Sequence, residues 1–162
     1  MLTREKLNDT HWGVVRDTPH HVIIGISSAG GSPLDELLEH SAGMKSIVDA
    51  MNSTHPLVRE IAVGVNIMQA QKSVVSWYRS LEEVDRSPVT LQEKAIDSMK
   101  SALEVLRAHG GPEDLLHYSD FVRSLAMRVA RAAKEGDVLG VGGELVSPGE
   151  RRFLDRLEAL AK

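Results

Sequence analysis

The sequence predicts an all-α protein, with residues 1–162 forming a single-domain bundle of six or seven helices. Apolar residues recur with helical spacing in most segments, and Ser, Thr, Pro and Gly stand where helices are expected to start and stop. Aliphatic side chains must fill the interior, because only six residues are Trp, Tyr or Phe. Ala, Leu and Met lose little conformational freedom in a helix, so the composition also favours this fold class.

Two helical pieces are predicted in the first thirty residues. Thr3 is a candidate N-cap for a helix over 4–16. Asp17-Thr-Pro19 predicts a stop and a restart, since proline suits the first position of a helix. The apolar stretch 20–29 is open to two interpretations, a buried strand or a short buried helix. We favour the helix, because no other segment offers a partner strand.

The middle of the chain predicts two longer helices. Ser32 and Pro33 are typical of an N-cap and of the first helical residue. Gly43 lies inside the helix that follows, where either a close helix crossing or a bend would explain it. Residues 56–82 give the longest helical pattern and are apolar on most of its circumference. This predicts a position in the centre of the bundle.

The next two helices are predicted from their ends. Thr90-Leu-Gln-Glu93 has the form of a capping box, and the helix that follows ends at Gly110-Gly111. Pro112 then opens a helix that continues to about Glu135. Gly136 is the expected residue after its C-cap.

The last predicted helix begins at Ser147, with Pro148 at its first position and Glu150 completing a capping box. Just before it lies a glycine-rich segment that follows an alanine-rich helix end. This C-terminal part resembles a family of bacterial all-helical proteins. The matching residues are Ala130, Ala132, Ala133, Lys134, Glu135, Gly136, Gly140, Gly142, Gly143, Val146, Ser147 and Glu150. The resemblance implies an all-helical fold and assigns no site residues.

The chain departs from this family at Asp137, where a second glycine is more usual. It matches the family again near its N-terminus, where an apolar segment follows Asp17-Thr-Pro19. A weaker similarity, based on the loop and the Ser-x-x-Glu helix start, is to tellurite-resistance-type helical domains.

Bulk composition excludes several classes of function. The net charge of −4 argues against a general nucleic-acid binder, which usually carries a basic excess. The chain has no cysteine, which excludes disulfides, thiolate metal sites and cysteine nucleophiles. No signal peptide and no apolar run of membrane-spanning length is visible, so we expect a cytoplasmic protein without a membrane partner.

Two fragments carry a carboxylate and an imidazole four residues apart, and hence on one helix face. They supply the candidate metal ligands Glu36, His40, Glu113 and His117. His20 or His21 could add a further ligand. Neither fragment matches a known metal-binding signature, so the simpler interpretation is two surface pairs that support their own helices.

Other chemistry finds less support in the sequence. The glycines at 136–143 suggest an anion site, but they lack the Gly-Lys-Ser/Thr ending of a phosphate loop, and Glu144 would repel an anion. Oxygen ligands for a calcium loop are missing after Asp137. Ser27 and Ser28 lack the glycine pattern of a nucleophile elbow. We therefore predict no catalytic or cofactor-binding residue, and the cofactor is unknown.

Arginines and one lysine recur on the outer sides of the last two predicted helices. These residues are Arg123, Arg128, Arg131, Lys134, Arg151, Arg152 and Arg156. If the helices pack antiparallel, they share a basic face for an acidic partner. A solvated face without a partner is the alternative.

The sequence favours a non-enzymatic binding protein or a stress-associated accessory protein. The alternative is a metal-dependent or small-molecule-modifying enzyme that uses histidines and carboxylates of the bundle. A homodimer is expected, because the apolar segment 56–82 needs cover on several sides. The methionines are interpreted mostly as core fillers.

Overall fold

The computed structural model describes residues 1–28, 33–66, 86–135 and 146–161, and these residues form six α-helices and no strand. The predicted all-α bundle is therefore confirmed. After a 3-10 turn at Arg4–Lys6, the helices are α1 Asp9–Ser27, α2 Pro33–Ala50, α3 Pro56–Asn66, α4 Pro88–His109, α5 Pro112–Glu135 and α6 Pro148–Leu160. None of these helices has the length and apolar character needed to cross a bilayer.

Helix α1 is the element around which the described bundle is built. It packs along α4 and also contacts α2, α3 and α5, while α2 lies along α5 and α6 closes against α4 and α5. Val15, Val22, Ile23 and Ile26 of α1 are completely buried. Apolar residues of the other helices complete the core, and the fully buried ones include Leu57, Ile61, Leu103, Leu106, Tyr118, Val122 and Phe153. Leu37 and Val48 of α2, which follow the predicted apolar spacing, are exposed instead.

The predicted helix 56–82 is confirmed for Pro56–Asn66. Its continuation lies in 67–85, outside the described residues. Within α3, Leu57, Ile61 and Val65 are buried, whereas Val63 is exposed. The described part of α3 therefore buries apolar residues on one side, and an apolar residue on another side is exposed.

The first helix begins later than predicted. Thr3 makes no side-chain cap, and the chain forms only a single 3-10 turn before Leu7. Asn8 is the actual N-cap of α1, and its side-chain oxygen accepts a 2.8 Å hydrogen bond from the backbone N–H of His11. Asn caps a helix at least as well as Thr, so the later site is favoured.

The predicted stop and restart at Asp17-Thr-Pro19 is wrong, because α1 runs through Pro19 without interruption. Proline has no N–H and so leaves the carbonyl four residues earlier, that of Val15, without its helical donor. The buried hydroxyl of Tyr118 donates a 3.0 Å hydrogen bond to that carbonyl. The helical interpretation of 20–29 is confirmed as far as Ser27, as the second half of α1.

Two features of α2 agree with the sequence. The helix begins at Pro33, although its predicted N-cap Ser32 lies outside the described residues. Gly43 marks a close helix crossing, since a Cβ there would lie 2.7 Å from Cδ1 of Ile23 on α1. No bend is needed to explain this glycine.

Helix α4 starts one turn before the predicted capping box. Ser87 is its N-cap and accepts a 3.2 Å hydrogen bond from the N–H of Thr90, with Pro88 at the first position. Proline there is already fixed at a helical φ, so the Ser-Pro pair starts the helix ahead of Thr90.

The starts of the two remaining helices and the end of α5 were predicted correctly. Helix α5 spans Pro112–Glu135, and α6 carries the predicted capping box. Ser147 Oγ accepts from the N–H of Glu150 at 3.3 Å, and the carboxylate of Glu150 accepts from the N–H of Ser147 at 2.6 Å.

Candidate functional site

A cleft with a mixed apolar and charged lining lies between α5 and α6 in the described part of the chain. It encloses about 290 Å³. Its lining residues are Arg123, Met127, Arg131, Val146, Arg151, Leu154, Asp155 and Glu158. A volume near the lower end of ligand pockets holds one or two side chains rather than a large cofactor.

Helical spacing explains which side chains meet in the cleft. Arg123, Met127 and Arg131 follow one another at intervals of four along α5, so they share one face. Across from them, α6 presents Arg151 and Leu154 from its first two turns. The result is an apolar floor with arginines on both sides.

The floor is closed by side chains that also belong to the core. Val146 and Leu154 are buried, and Met127 is partly buried against the same core. The capping box of α6 holds Val146 in place, because it fixes the chain direction at the next residue, Ser147. The cleft is therefore built on fixed elements.

The predicted basic face divides into arginines with and without intramolecular partners. Arg128 pairs with Asp49 of α2 at 2.9 Å, and Arg156 binds Glu93 of α4 through two nitrogens. The hydrogen bond from Arg156 lowers the pKa of Glu93. These two arginines join helices and do not face the cleft.

Arg131 and Arg151 are exposed and make no ion pair or hydrogen bond with any described residue. Arg123 is paired only within its own helix, with Asp120 at 3.0 Å. Arg152 is exposed outside the cleft lining, and the side chain of Lys134 lies outside the described residues. Two unpaired arginines therefore flank the apolar floor, with Asp155 and Glu158 on the α6 side.

The candidate metal ligands are distributed over two histidine pairs. The ring of His40 stacks on that of His20, with centroids 6.5 Å apart, and the ring of His117 lies 4.3 Å from that of His55. Glu113 is exposed on α5, whereas the side chain of Glu36 lies outside the described residues. Among the side chains that are described, no three His, Asp or Glu residues are placed to hold one metal ion.

His55, the ring partner of His117, lies beside a buried carboxylate that was not predicted from the sequence. Asp114 is 1% exposed and accepts hydrogen bonds from the N–H of Leu2 at 3.0 Å and of Gly111 at 2.9 Å. His55 Nε2 lies 3.6 Å from the same carboxylate. The available signal was the acid three residues after Gly111, the spacing at which a carboxylate reaches back to the N-cap N–H.

Burial and hydrogen bonding act in opposite directions on this carboxylate. Burial raises the pKa of Asp114, but the N–H groups of Gly111 and Leu2 outweigh it, so that the pKa lies below its usual value. Burial lowers the pKa of His55, and the neighbouring His117 lowers it further. Asp114 and His55 form a polar junction. Through Asp114 it joins the first residues of the chain to α5, and through His55 it joins them to the start of α3.

Two adjacent histidines of α1 make polar contacts with two different helices. His20 Nε2 lies 3.1 Å from Met44 Sδ, and His21 Nδ1 lies 2.9 Å from Ser98 Oγ of α4. Burial lowers the pKa of both histidines to about 4. The sequence pattern predicts a core-filling role for Met44. Its position four residues after His40 was the signal that the two share a face.

The remaining sequence candidates do not add to these sites. The glycines at 136–143, together with Asp137 and Glu144, lie outside the described residues. Ser27 is buried, and Ser28 donates a 3.0 Å hydrogen bond to the carbonyl of Gly25 in the last turn of α1.

Comparison with known proteins gives no assignment for these sites: no family model, no curated protein and no solved structure matches the chain.

Proposed function

We propose that the protein is a non-enzymatic binding protein whose α5–α6 cleft receives an acidic segment of a partner protein. The observation that carries the proposal is the pair of unpartnered arginines, Arg131 and Arg151, on either side of an apolar floor. Guanidinium groups bind carboxylates through two parallel hydrogen bonds. A partner segment with a carboxylate next to an apolar side chain complements this arrangement.

The floor and the arginines favour a weak and reversible complex. Burying one aliphatic side chain contributes about 1.5–3 kcal/mol, and each exposed arginine–carboxylate pair about 0.2–1 kcal/mol. Association itself costs several kcal/mol of lost freedom. We therefore expect a dissociation constant between roughly 10 μM and 1 mM for a short segment.

A peptide titration tests the proposal. The probe is a fluorescein-labelled peptide of alternating Leu and Glu, compared with the same peptide carrying Lys in place of Glu. We expect the acidic peptide to bind the full chain and the double variant Arg131→Glu/Arg151→Glu to bind it at least tenfold more weakly. Equal binding of both peptides, or of the acidic peptide to both proteins, would overturn the proposal.

Arg152 provides a matched control. It is exposed on the same helix as Arg151 but does not line the cleft. Arg152→Glu makes the same charge change as Arg151→Glu, so it separates the loss of a contact in the cleft from a general electrostatic effect. We expect Arg152→Glu to change the affinity by less than about twofold at 0.15 M salt, where exposed charges are screened over about 8 Å.

The proposal includes a homodimer and a cytoplasmic location, with an accessory role under stress. Support for the dimer comes from α2, where Leu37 is 62% and Val48 is 48% exposed. They are eleven residues apart and so lie on nearly the same side of the helix. Sedimentation at increasing concentration is expected to give a dimer that Leu37→Glu/Val48→Glu dissociates, and a monomer at all concentrations would contradict it.

A further inference from the structure

Three side chains that are typical ligands of soft metal ions meet between α1 and α2. His20 comes from α1, and His40 and Met44 come from successive turns of α2. His20 is 4% exposed, whereas His40 is exposed at the edge of the cluster. The cluster therefore has one deep ligand and an opening to solvent.

The distances suit coordination of a single ion. First-row metal ions bind imidazole nitrogen at about 2.0 Å and sulfur at about 2.3 Å, so two donors on one ion lie roughly 3–3.6 Å apart. His20 Nε2 and Met44 Sδ are 3.1 Å apart. The rings of His20 and His40 are nearly parallel, with centroids 6.5 Å apart, so His40 stands next to the His20–Met44 pair. Its exposed ring must turn to direct a nitrogen at an ion held by that pair.

His20 is poorly satisfied by the protein alone. Its Nδ1 is buried and has no hydrogen-bond partner, and its Nε2 faces only a thioether, which is a weak acceptor. A metal ion on Nε2 would replace the weak contact with the thioether by a coordinate bond, and Nδ1 would then carry the ring proton.

We infer that His20, His40 and Met44 form a binding site for a soft monovalent metal ion, copper(I). A thioether ligand favours copper(I) over the harder divalent ions, and imidazole is a good ligand for copper. All three ligands are neutral when their donor atoms are free, so a monovalent ion brings less charge into the interior than a divalent one.

Asp17 is a negatively charged group close to the His20 ring. It is buried on α1 one turn before His20 and is bound by Arg16 through two hydrogen bonds, at 2.6 and 2.9 Å. Its carboxylate raises the pKa of His20, so it also acts favourably on a cation at that ring. Its pairing with Arg16 makes it a neighbour of the site rather than a ligand.

Titration of the full chain with copper(I) under reducing, oxygen-free conditions tests the site, with bicinchoninate as a coloured competitor. We expect one equivalent to bind and X-ray absorption to show sulfur at about 2.3 Å with nitrogen at about 2.0 Å. Met44→Leu conserves side-chain volume and removes the sulfur, and His40→Ala removes an exposed ring, so neither change should unfold the protein. Each is expected to weaken binding at least tenfold.

Met99→Leu and His109→Ala are the matched controls. Met99 is a buried core methionine of α4, and His109 belongs to a different histidine pair, with His11. Both variants are expected to bind copper(I) within twofold of the unaltered chain. The inference fails if Met44→Leu binds as tightly as the unaltered chain, if the absorption spectrum shows no sulfur, or if His109→Ala abolishes binding. Circular dichroism of each variant verifies that the helices are intact.

Discussion

A buried carbonyl that loses its helical donor needs another one, and in α1 the Val15 carbonyl obtains it from the Tyr118 hydroxyl. In the same turn, Thr18 Oγ1 donates to the carbonyl of Val14 at 2.8 Å. Burial raises the pKa of Tyr118, so the hydroxyl keeps its proton for donation. A single side chain from α5 thus allows a proline in the middle of α1.

Tyr118→Phe is expected to lower the free energy of unfolding by about 1–3 kcal/mol, since it leaves a buried carbonyl without a donor. Chemical denaturation monitored by circular dichroism measures the loss. The structure also provides the control. In a Pro19→Ala background, residue 19 regains an N–H for Val15, so the same Tyr118→Phe change should cost clearly less. An equal cost in both backgrounds would show that the two residues are not coupled.

At the crossing of α1 and α2, the backbone of α2 lies close to a side chain of α1. Ile23 packs directly over Gly43, with three of its side-chain carbons within 3.1 Å of where a Cβ would stand. Glycine weakens a helix by about 1 kcal/mol relative to alanine. Gly43 is therefore explained by the close packing of Ile23 of α1 and not by the helix propensity of α2.

Gly43→Ala is accordingly expected to destabilise the protein by about 1–3 kcal/mol, because overpacking outweighs the gain in helix propensity. Gly13→Ala in α1 is the matched control, since a Cβ there would meet nothing within 4 Å. That variant should gain about 0.5–1 kcal/mol from reduced freedom of the unfolded chain. Thermal unfolding of the two variants compares them directly, and a stabilised Gly43→Ala protein would contradict the packing argument.

Helix ends were predictable where their signals are local. The starts at Pro112 and Ser147 are marked by proline or a capping pattern within four residues, and the structure places them as predicted. The continuation through Pro19 was not predictable, because its cause is a hydroxyl 99 positions along the chain, from Pro19 to Tyr118. The local pattern predicted a helix end at Pro19, whereas the distant Tyr118 hydroxyl allows the helix to continue.

The candidate sites follow the same division. Periodicity placed Arg123 and Arg131 on one face of their helix, as the cleft requires. Periodicity could not reveal that Arg128 forms an ion pair with Asp49 of α2, because this pair depends on how the helices pack. Likewise His40 was visible as a candidate ligand, but its partners His20 and Met44 were recognised as a set only in three dimensions.

Across the molecule as a whole, Asp114 closes the bundle by joining the N-terminal residues to α5, 112 positions away from Leu2. His55 faces this carboxylate together with His117 and Glu113.

The junction couples stability to pH. Because the folded-state pKa of His55 lies below the unfolded one, folding loses stability as pH falls below about 6.5. The contribution of Asp114 is present above its unfolded pKa of about 3.8 and is lost as pH falls through its lower folded pKa.

We therefore expect the free energy of unfolding to fall as the pH is lowered from 7 to 5, with part of the slope removed by His55→Gln. Urea denaturation at half-unit pH intervals measures the slope. His109→Gln, which replaces an exposed histidine, controls for the loss of an imidazole as such. If His55→Gln keeps the full pH dependence between 7 and 5, this junction does not contribute to it.

The hydrogen bond between Tyr118 and Val15 also has a consequence for the order of folding. An isolated chain segment 9–27 contains a helix breaker at its centre, and no local group replaces the missing donor. The second half of α1 should therefore become helical only when α5 arrives. Interactions beyond Pro19 would then form late on the folding pathway, together with those of Tyr118, while the first turns of α1 can form early.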